Sequence, residues 1–202
     1  MPVTFIGDVH GQMAALEELI PQCEGEISFM GDLIDRGPHS REVVQRVRDL
    51  CQHGRASCIL GTHEFALVSS FGLPAWGVEA KPHFFSAWCQ VYGGCNTLLS
   101  YGVEDINVDE LRDLMRADLE WMHGLPWYLR RTIDGREFLA VHAGLNDRDP
   151  LQLQLAGLDD SAGWWQSEDQ LPPSISEQKR AAVNQPDLPA VLCVVSGHTV
   201  QP

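Results

Sequence analysis

Five short apolar runs in this chain each give way to a loop that carries glycine together with aspartate or histidine. Val3-Thr4-Phe5-Ile6 precedes Gly7-Asp8-Val9-His10-Gly11, and Ile27-Ser28-Phe29-Met30 precedes Gly31-Asp32-Leu33-Ile34-Asp35-Arg36-Gly37. Cys58-Ile59-Leu60 precedes Gly61-Thr62-His63-Glu64, Phe138-Leu139-Ala140-Val141 precedes His142-Ala143-Gly144, and Val191–Val195 precedes Gly197-His198. Runs of this length bounded by turn residues read as buried strands. In α/β proteins the ends of such strands are where chemistry is placed. Four of the eight histidines fall in these loops.

The first third alternates strand and helix. After Val3–Ile6, Gln12–Ile20 has Leu16, Leu19 and Ile20 on one helical face and stops at Pro21. After Ile27–Met30, Ser40 is placed to cap a helix striped with Val43, Val44, Val47, Leu50 and Cys51, which Gly54 closes. With Ser57–Leu60 this makes a β-α-β-α-β run, so an α/β fold with a parallel sheet is expected. One domain over residues 1–202 is expected, with a helical insertion at about 71–124, where the rhythm breaks. There Leu111, Leu114, Met115 and Met122 have helical spacing, and Trp76, Trp88, Tyr92, Tyr101 and Trp121 read as packing aromatics. The chain returns through Trp127-Tyr128-Leu129, a turn at Asp134-Gly135 and the Phe138–Val141 strand. Residues 147–189 read as loop with short helices, anchored by Trp164-Trp165.

Composition narrows the function classes. A net charge of −14 disfavours an extended nucleic-acid surface, though not a phosphorylated substrate in a cationic cleft. No apolar stretch approaches the roughly 20 residues of a membrane helix. No signal-peptide pattern opens the chain, so a cytoplasmic protein without membrane or nucleic-acid partners is expected. The six cysteines form no C-x-x-C pair, and no disulfide framework is expected.

Asp8, His10 and Asp32 leave two strand ends, and His142 and His198 leave two others. Carboxylates and imidazoles suit divalent metals, and a carboxylate can bridge two of them. His63 is then free to protonate a leaving oxygen, with Asp35 orienting its ring. Arg36 is a planar donor for phosphate oxygens, although an ion pair with Asp35 would be a plainer role. Taken singly, each of these residues would read as a strand-end turn or a satisfied histidine. Glu64 reads as a supporting acid, and Gly7, Gly11, Gly31 and Gly37 as turn requirements. His39, His53, His83 and His123 read as surface residues, and Arg130-Arg131 as a solvated strand edge.

The ordered set of loops resembles the phosphoprotein-phosphatase branch of the calcineurin-like metallophosphoesterases. That branch includes bacterial serine/threonine phosphatases and symmetrical diadenosine-tetraphosphate hydrolases. G-D-x-H-G matches Gly7–Gly11, G-D-x-x-D-R-G matches Gly31–Gly37, and the histidine strands match His142-Ala143-Gly144 and Gly197-His198-Thr199. The resemblance implies a four-layer sandwich of two mixed β-sheets flanked by helices. It implies two divalent metal ions, manganese foremost, with iron, zinc or nickel as alternatives. Asp8 and His10 would bind the first, Asp32 would bridge, and His142 and His198 would bind the second. His63 would be the general acid, with Asp35 its partner and Arg36 the phosphate ligand.

Three departures from the family pattern stand out. Thr62 replaces the asparagine of G-N-H-E, which would make it a weaker neutral ligand to the second metal. Gln166 follows Trp164-Trp165 where bacterial members often carry an arginine, a contact Arg148 could replace. The chain stops at Pro202, soon after His198, where relatives usually continue, so a minimal sandwich or a truncated product is expected.

Asp35-Arg36 matches the phosphatase pattern, so the first expected activity is hydrolysis of phosphomonoesters, phosphoserine or phosphothreonine in proteins, by a metal-bridged hydroxide. Gly37-Pro38 recurs in the nucleotide-hydrolase group, which makes a dinucleoside-polyphosphate hydrolase the alternative. A catalytically weakened binding module is the third reading.

Overall fold

The computed structural model describes residues 2–103, 108–146, 149–167, 174 and 192–198. The apolar runs of the first third form β1 (Val3–Ile6), β2 (Glu26–Phe29) and β3 (Ala56–Cys58). Each is followed by a helix: α1 (Met13–Leu19), α2 (Ser40–Gln52) and α3 (Thr62–Phe71). The strands make one parallel sheet with β2 at its centre. Ile6 lies opposite Phe29 and Phe29 opposite Cys58, so three loops leave the sheet at one level.

The second sheet contains β4 (Tyr128–Ile133), β5 (Arg136–Val141) and β6 (Leu192–Ser196), with β5 central. It is mixed: β4 and β5 are antiparallel, β5 and β6 parallel. Asp134 and Gly135 adopt φ of 50° and 78°, the left-handed pair that a two-residue hairpin needs. Val141 and Ser196 are register partners, so the His142 and His198 loops also leave side by side.

An apolar cluster of Met30, Ile59 and Ala140, packed by Phe5, Leu129 and Val195, joins the two sheets. Arg131 joins them too. Its guanidinium donates to the Glu26 carboxylate on β2 at 2.8 Å, which corrects the expectation of a solvated edge.

The flanking helices follow their stripes. Val43, Val44, Val47 and Leu50 of α2 are buried, each contributing roughly 1.5–3 kcal/mol. Gly54, with φ of 67°, closes that helix. In α1 Leu16 is buried, as is Ile20 just beyond it, but Leu19 sits at the edge of the stripe and is 40% exposed.

Between β3 and β4 the described chain is helical. It runs through α3, α4 (Pro82–Ala87), a π-helical turn (Trp88–Tyr92), α5 (Gly94–Ser100) and α6 (Val108–His123). Every residue of α3 is buried, the apolar Phe65, Leu67, Val68 and Phe71 together with the polar Thr62, His63 and Glu64 of its first turn. The α6 stripe is Leu111, Met115, Leu119 and Met122; Leu114 falls outside it and is half-exposed.

Beyond β5 lie α7 (Leu151–Asp159) and α8 (Ala162–Gln166). Trp165 of α8 is buried and stacks on Phe65 at 4.7 Å. All six cysteines are free, and no helix among the described residues is long and apolar enough to cross a membrane.

Candidate metal centre

The five strand-end loops converge, and their backbone is strained where they meet. Among the described residues six non-glycine positions have positive φ: His10, Asp32, Asp35, Arg36, Asp134 and His198. All but Asp134 are site residues expected from the sequence. A side chain in the left-handed region costs about 1 kcal/mol or more and persists only where surrounding contacts hold it.

Glu64 supplies much of that hold. Its carboxylate accepts the backbone N–H groups of Gly61 (3.1 Å), Asp32 (2.8 Å), Leu33 (2.8 Å) and Ile34 (3.4 Å). One fully buried acid therefore ties the start of α3 to the loop after β2. Burial and the adjacent Asp32 charge push Glu64 up to about 7, against these donors. Gly61 is required by close approach, since a Cβ there would overlap the Asp32 amide and carboxylate. Gly7 has no such need, because a Cβ there would meet only open space.

Two sets of donor atoms share Asp32. One comprises His10, Asp32 and His63, the other Asp32, His142 and His198, with the atoms of each set within 4.8 Å of one another. In the first set, His10 Nδ1–H donates to the Ile34 carbonyl at 2.9 Å, leaving Nε2 with its lone pair facing inward. That Nε2 is buried and has no hydrogen-bond partner, which would be costly unless a cation completed it. Asp8 Oδ2 lies 3.8 Å from it.

In the second set, His142 Nδ1–H donates to the Met30 carbonyl at 2.6 Å and directs Nε2 inward. Nε2 lies 3.2 Å from Asp32 Oδ2 and 3.0 Å from His198 Nδ1. Backbone acceptors that fix a ring in this way are typical of metal-ligating histidines. The His198 amide donates to Asp8 Oδ1 at 2.9 Å, so Asp8 links β1 to β6. Thr62 Oγ1 is 3.4 Å from His198 Nδ1, placing it beside this set.

The electrostatics suit cations. Burial works against charge on His142, yet the Asp32 carboxylate outweighs it and raises the ring to about 9. Burial alone would raise Asp32, but His142 and His63 hold it below the usual carboxylate range. Burial lowers His10 and His198, the direction that favours the neutral ring able to ligate. A divalent cation would take the place of the His142 proton, and imidazole with carboxylate is the donor chemistry such ions accept.

His63 has a second set of contacts. Its Nδ1–H donates to Asp35 Oδ2 at 2.7 Å, and its backbone N–H donates to Asp32 Oδ1 at 3.0 Å. Burial lowers this ring, and the hydrogen bond to Asp35 with the charges of Asp32 and Asp35 more than reverses that. Arg36 Nη2 is 3.4 Å from His63 Nε2. The guanidinium thus faces the imidazole, and the plainer ion pair with Asp35 does not form.

Several contacts were not expected from the sequence. Ser40 does not cap α2; its Oγ accepts the Asp35 N–H at 3.0 Å. Trp88 Nε1–H donates to Asp35 Oδ2 at 2.8 Å, and Thr97 Oγ1–H donates to Asp35 Oδ1 at 2.6 Å. Tyr92 lies edge-on to His63 with ring centroids 5.0 Å apart. These partners are 53 and 62 residues from Asp35, and no local pattern marks them. Gln166 is exposed at the end of α8, and Arg148 lies outside the described residues. His39, His53 and His83 are exposed, while His123 is half-buried between Trp76 and Trp165.

The family model of the calcineurin-like phosphoesterases matches residues 1–202, and the chain belongs to that family. A symmetrical bis(5'-nucleosyl)-tetraphosphatase of Janthinobacterium sp. (strain Marseille) is 30% identical over 150 residues, covering 72% of this chain and 44% of that protein. The enzyme of the same description from Ralstonia nicotianae is 37% identical over 71 residues, covering 34% of this chain and 25% of that protein. The chain therefore matches less than half the length of these curated relatives. The structure of a cold-active protein-tyrosine phosphatase of Shewanella sp. superposes with a TM-score of 0.51 at 18% identity, covering 85% of this chain and 50% of that one. That likeness is one of fold.

Proposed function

We propose that this chain hydrolyses phosphoric esters with two divalent cations, and that its substrates are phosphomonoesters such as phosphoserine or phosphothreonine in peptides. The observation that carries this reading is the His63–Asp35 pair beside a carboxylate, Asp32, common to two donor sets. Asp8 and His10 would complete one cation site. Thr62, His142 and His198 would complete the other, and manganese is the first candidate. Bound there, the cations supply Lewis acidity toward phosphoryl oxygens and lower the pKa of water.

The chain's own residues do the rest. Arg36, always charged, binds a phosphoryl oxygen. His63, with Nδ1–H held by Asp35, donates its Nε2 proton to the leaving oxygen. Asp35 stabilises the imidazolium before that transfer. The fold is read as one domain with 71–124 as an insertion beside the site, working in the cytoplasm.

The names of the relatives favour a second substrate class, dinucleoside polyphosphates. The two are separated by titrating manganese into metal-stripped protein with a phosphoserine peptide or diadenosine tetraphosphate. Faster peptide turnover supports the first reading. Faster nucleotide cleavage replaces it with the second. Silence on both at saturating metal leaves a binding module.

A further inference from the structure

We propose that Trp88 and Thr97 are positioning residues for leaving-group protonation, acting through Asp35 on His63. This rests on the general-acid reading of His63 above. A carboxylate that orients an imidazole must itself be held, and Asp35 is fully buried in a stretch of left-handed backbone. Its Oδ2 takes two N–H donors, His63 Nδ1 at 2.7 Å and Trp88 Nε1 at 2.8 Å. Its Oδ1 takes the Thr97 hydroxyl at 2.6 Å. The Asp35 amide is held as well, with Ser40 Oγ and Thr97 Oγ1 each at 3.0 Å. Both oxygens and the backbone are thus fixed, and the His63 ring has one acceptor in one place.

The indole is as rigid as the carboxylate. Trp88 is fully buried and meets Phe71 edge-on at 5.9 Å and Phe85 at 6.0 Å. Gly94 allows this seat, because a Cβ there would overlap the indole ring. Packing alone would be met by any large aromatic, whereas only the indole among apolar aromatics brings an N–H to the buried oxygen. Hydrogen bonds to a carboxylate are the strong ones, and two of them from the helical segment hold Asp35 in place. Through Asp35, that segment takes part in proton transfer.

The test begins with ¹⁵N chemical shifts of the His63 imidazole in metal-free protein. At a pH where the ring is neutral, wild type is expected in a single tautomer with the proton on Nδ1. Trp88→Phe keeps the packing and removes the donor, and Thr97→Val does the same for the hydroxyl. Each is expected to give a mixture of tautomers, with Thr97→Ser restoring the wild-type pattern. Unchanged shifts in both variants would overturn the proposal.

Manganese-loaded kinetics give the second reading. General-acid help matters for phenyl phosphate and little for 2,4-dinitrophenyl phosphate, whose leaving group needs no proton. Trp88→Phe should slow the first about tenfold and spare the second, a part of the roughly 10²–10⁴ that a general acid supplies. Equal loss on both esters, with circular dichroism unchanged, would mean a merely structural role. If wild type turns over neither ester, the phosphomonoester reading fails, and the imidazole shifts decide the positioning claim alone.

Discussion

The two donor sets meet at Asp32 but are held in different ways. On the side of His10 and His63, the two supporting acids find their partners within the N-terminal half, while His10 Nε2 has none. Glu64 binds four backbone amides, and Asp35 takes three side-chain or ring donors. On the side of His142 and His198, each residue comes from a separate strand end. His142 leans on the Met30 carbonyl, and the His198 amide on Asp8. The side chain added here is Thr62, a hydroxyl 3.4 Å from His198. The contrast is one of support: the first side is prebuilt around two buried acids that each gather several donors, and the second rests on single hydrogen bonds from separate strand ends.

The largest expected effect falls on the prebuilt side. His63→Ala should lower turnover of a poor leaving group by about 10²–10⁴ while sparing manganese binding by calorimetry. Unchanged turnover would show that proton transfer lies elsewhere.

Next comes Glu64→Ala, which leaves buried amides of Asp32, Leu33, Ile34 and Gly61 without their acceptor. It should cost about 3 kcal/mol in urea unfolding of the metal-free protein. The same measurement on Thr62→Ala should show much less. Equal losses would erase the distinction between the two sides.

A smaller effect concerns pH. Asp35 raises the His63 pKa, so removing its charge with Asp35→Asn lowers it. The general acid must be protonated to act, so the alkaline limb of the rate profile should move to lower pH. A limb that stays in place would assign it to another group.

The smallest effect sharpens the second side. Thr62→Asn supplies a longer neutral oxygen and should tighten the weaker manganese site about tenfold. No change in affinity would remove Thr62 from that site.

How much of this could be seen in the sequence follows from where each interaction is encoded. The five loops were legible because a strand end fixes which residues follow it, and Asp32, His63 and His142 sit within a few residues of their strands. The Gly54 and Asp134-Gly135 turns were legible because φ demands are local. Ser40 fits the capping pattern as a serine before a valine stripe, and that local pattern cannot reveal its true partner. Its hydroxyl goes instead to the Asp35 amide. Leu19 and Leu114 share the spacing of the buried stripes yet are exposed, because helical spacing cannot say where a stripe's edge lies. Trp88 and Thr97 were not legible as partners of Asp35, because their bonds cross from the helical segment to another loop.

The most direct measurement is calorimetric titration of manganese into metal-stripped wild type and Asp32→Asn. A carboxylate common to both sets predicts that two binding events in wild type weaken together in the variant. One event kept at wild-type affinity would contradict a shared Asp32.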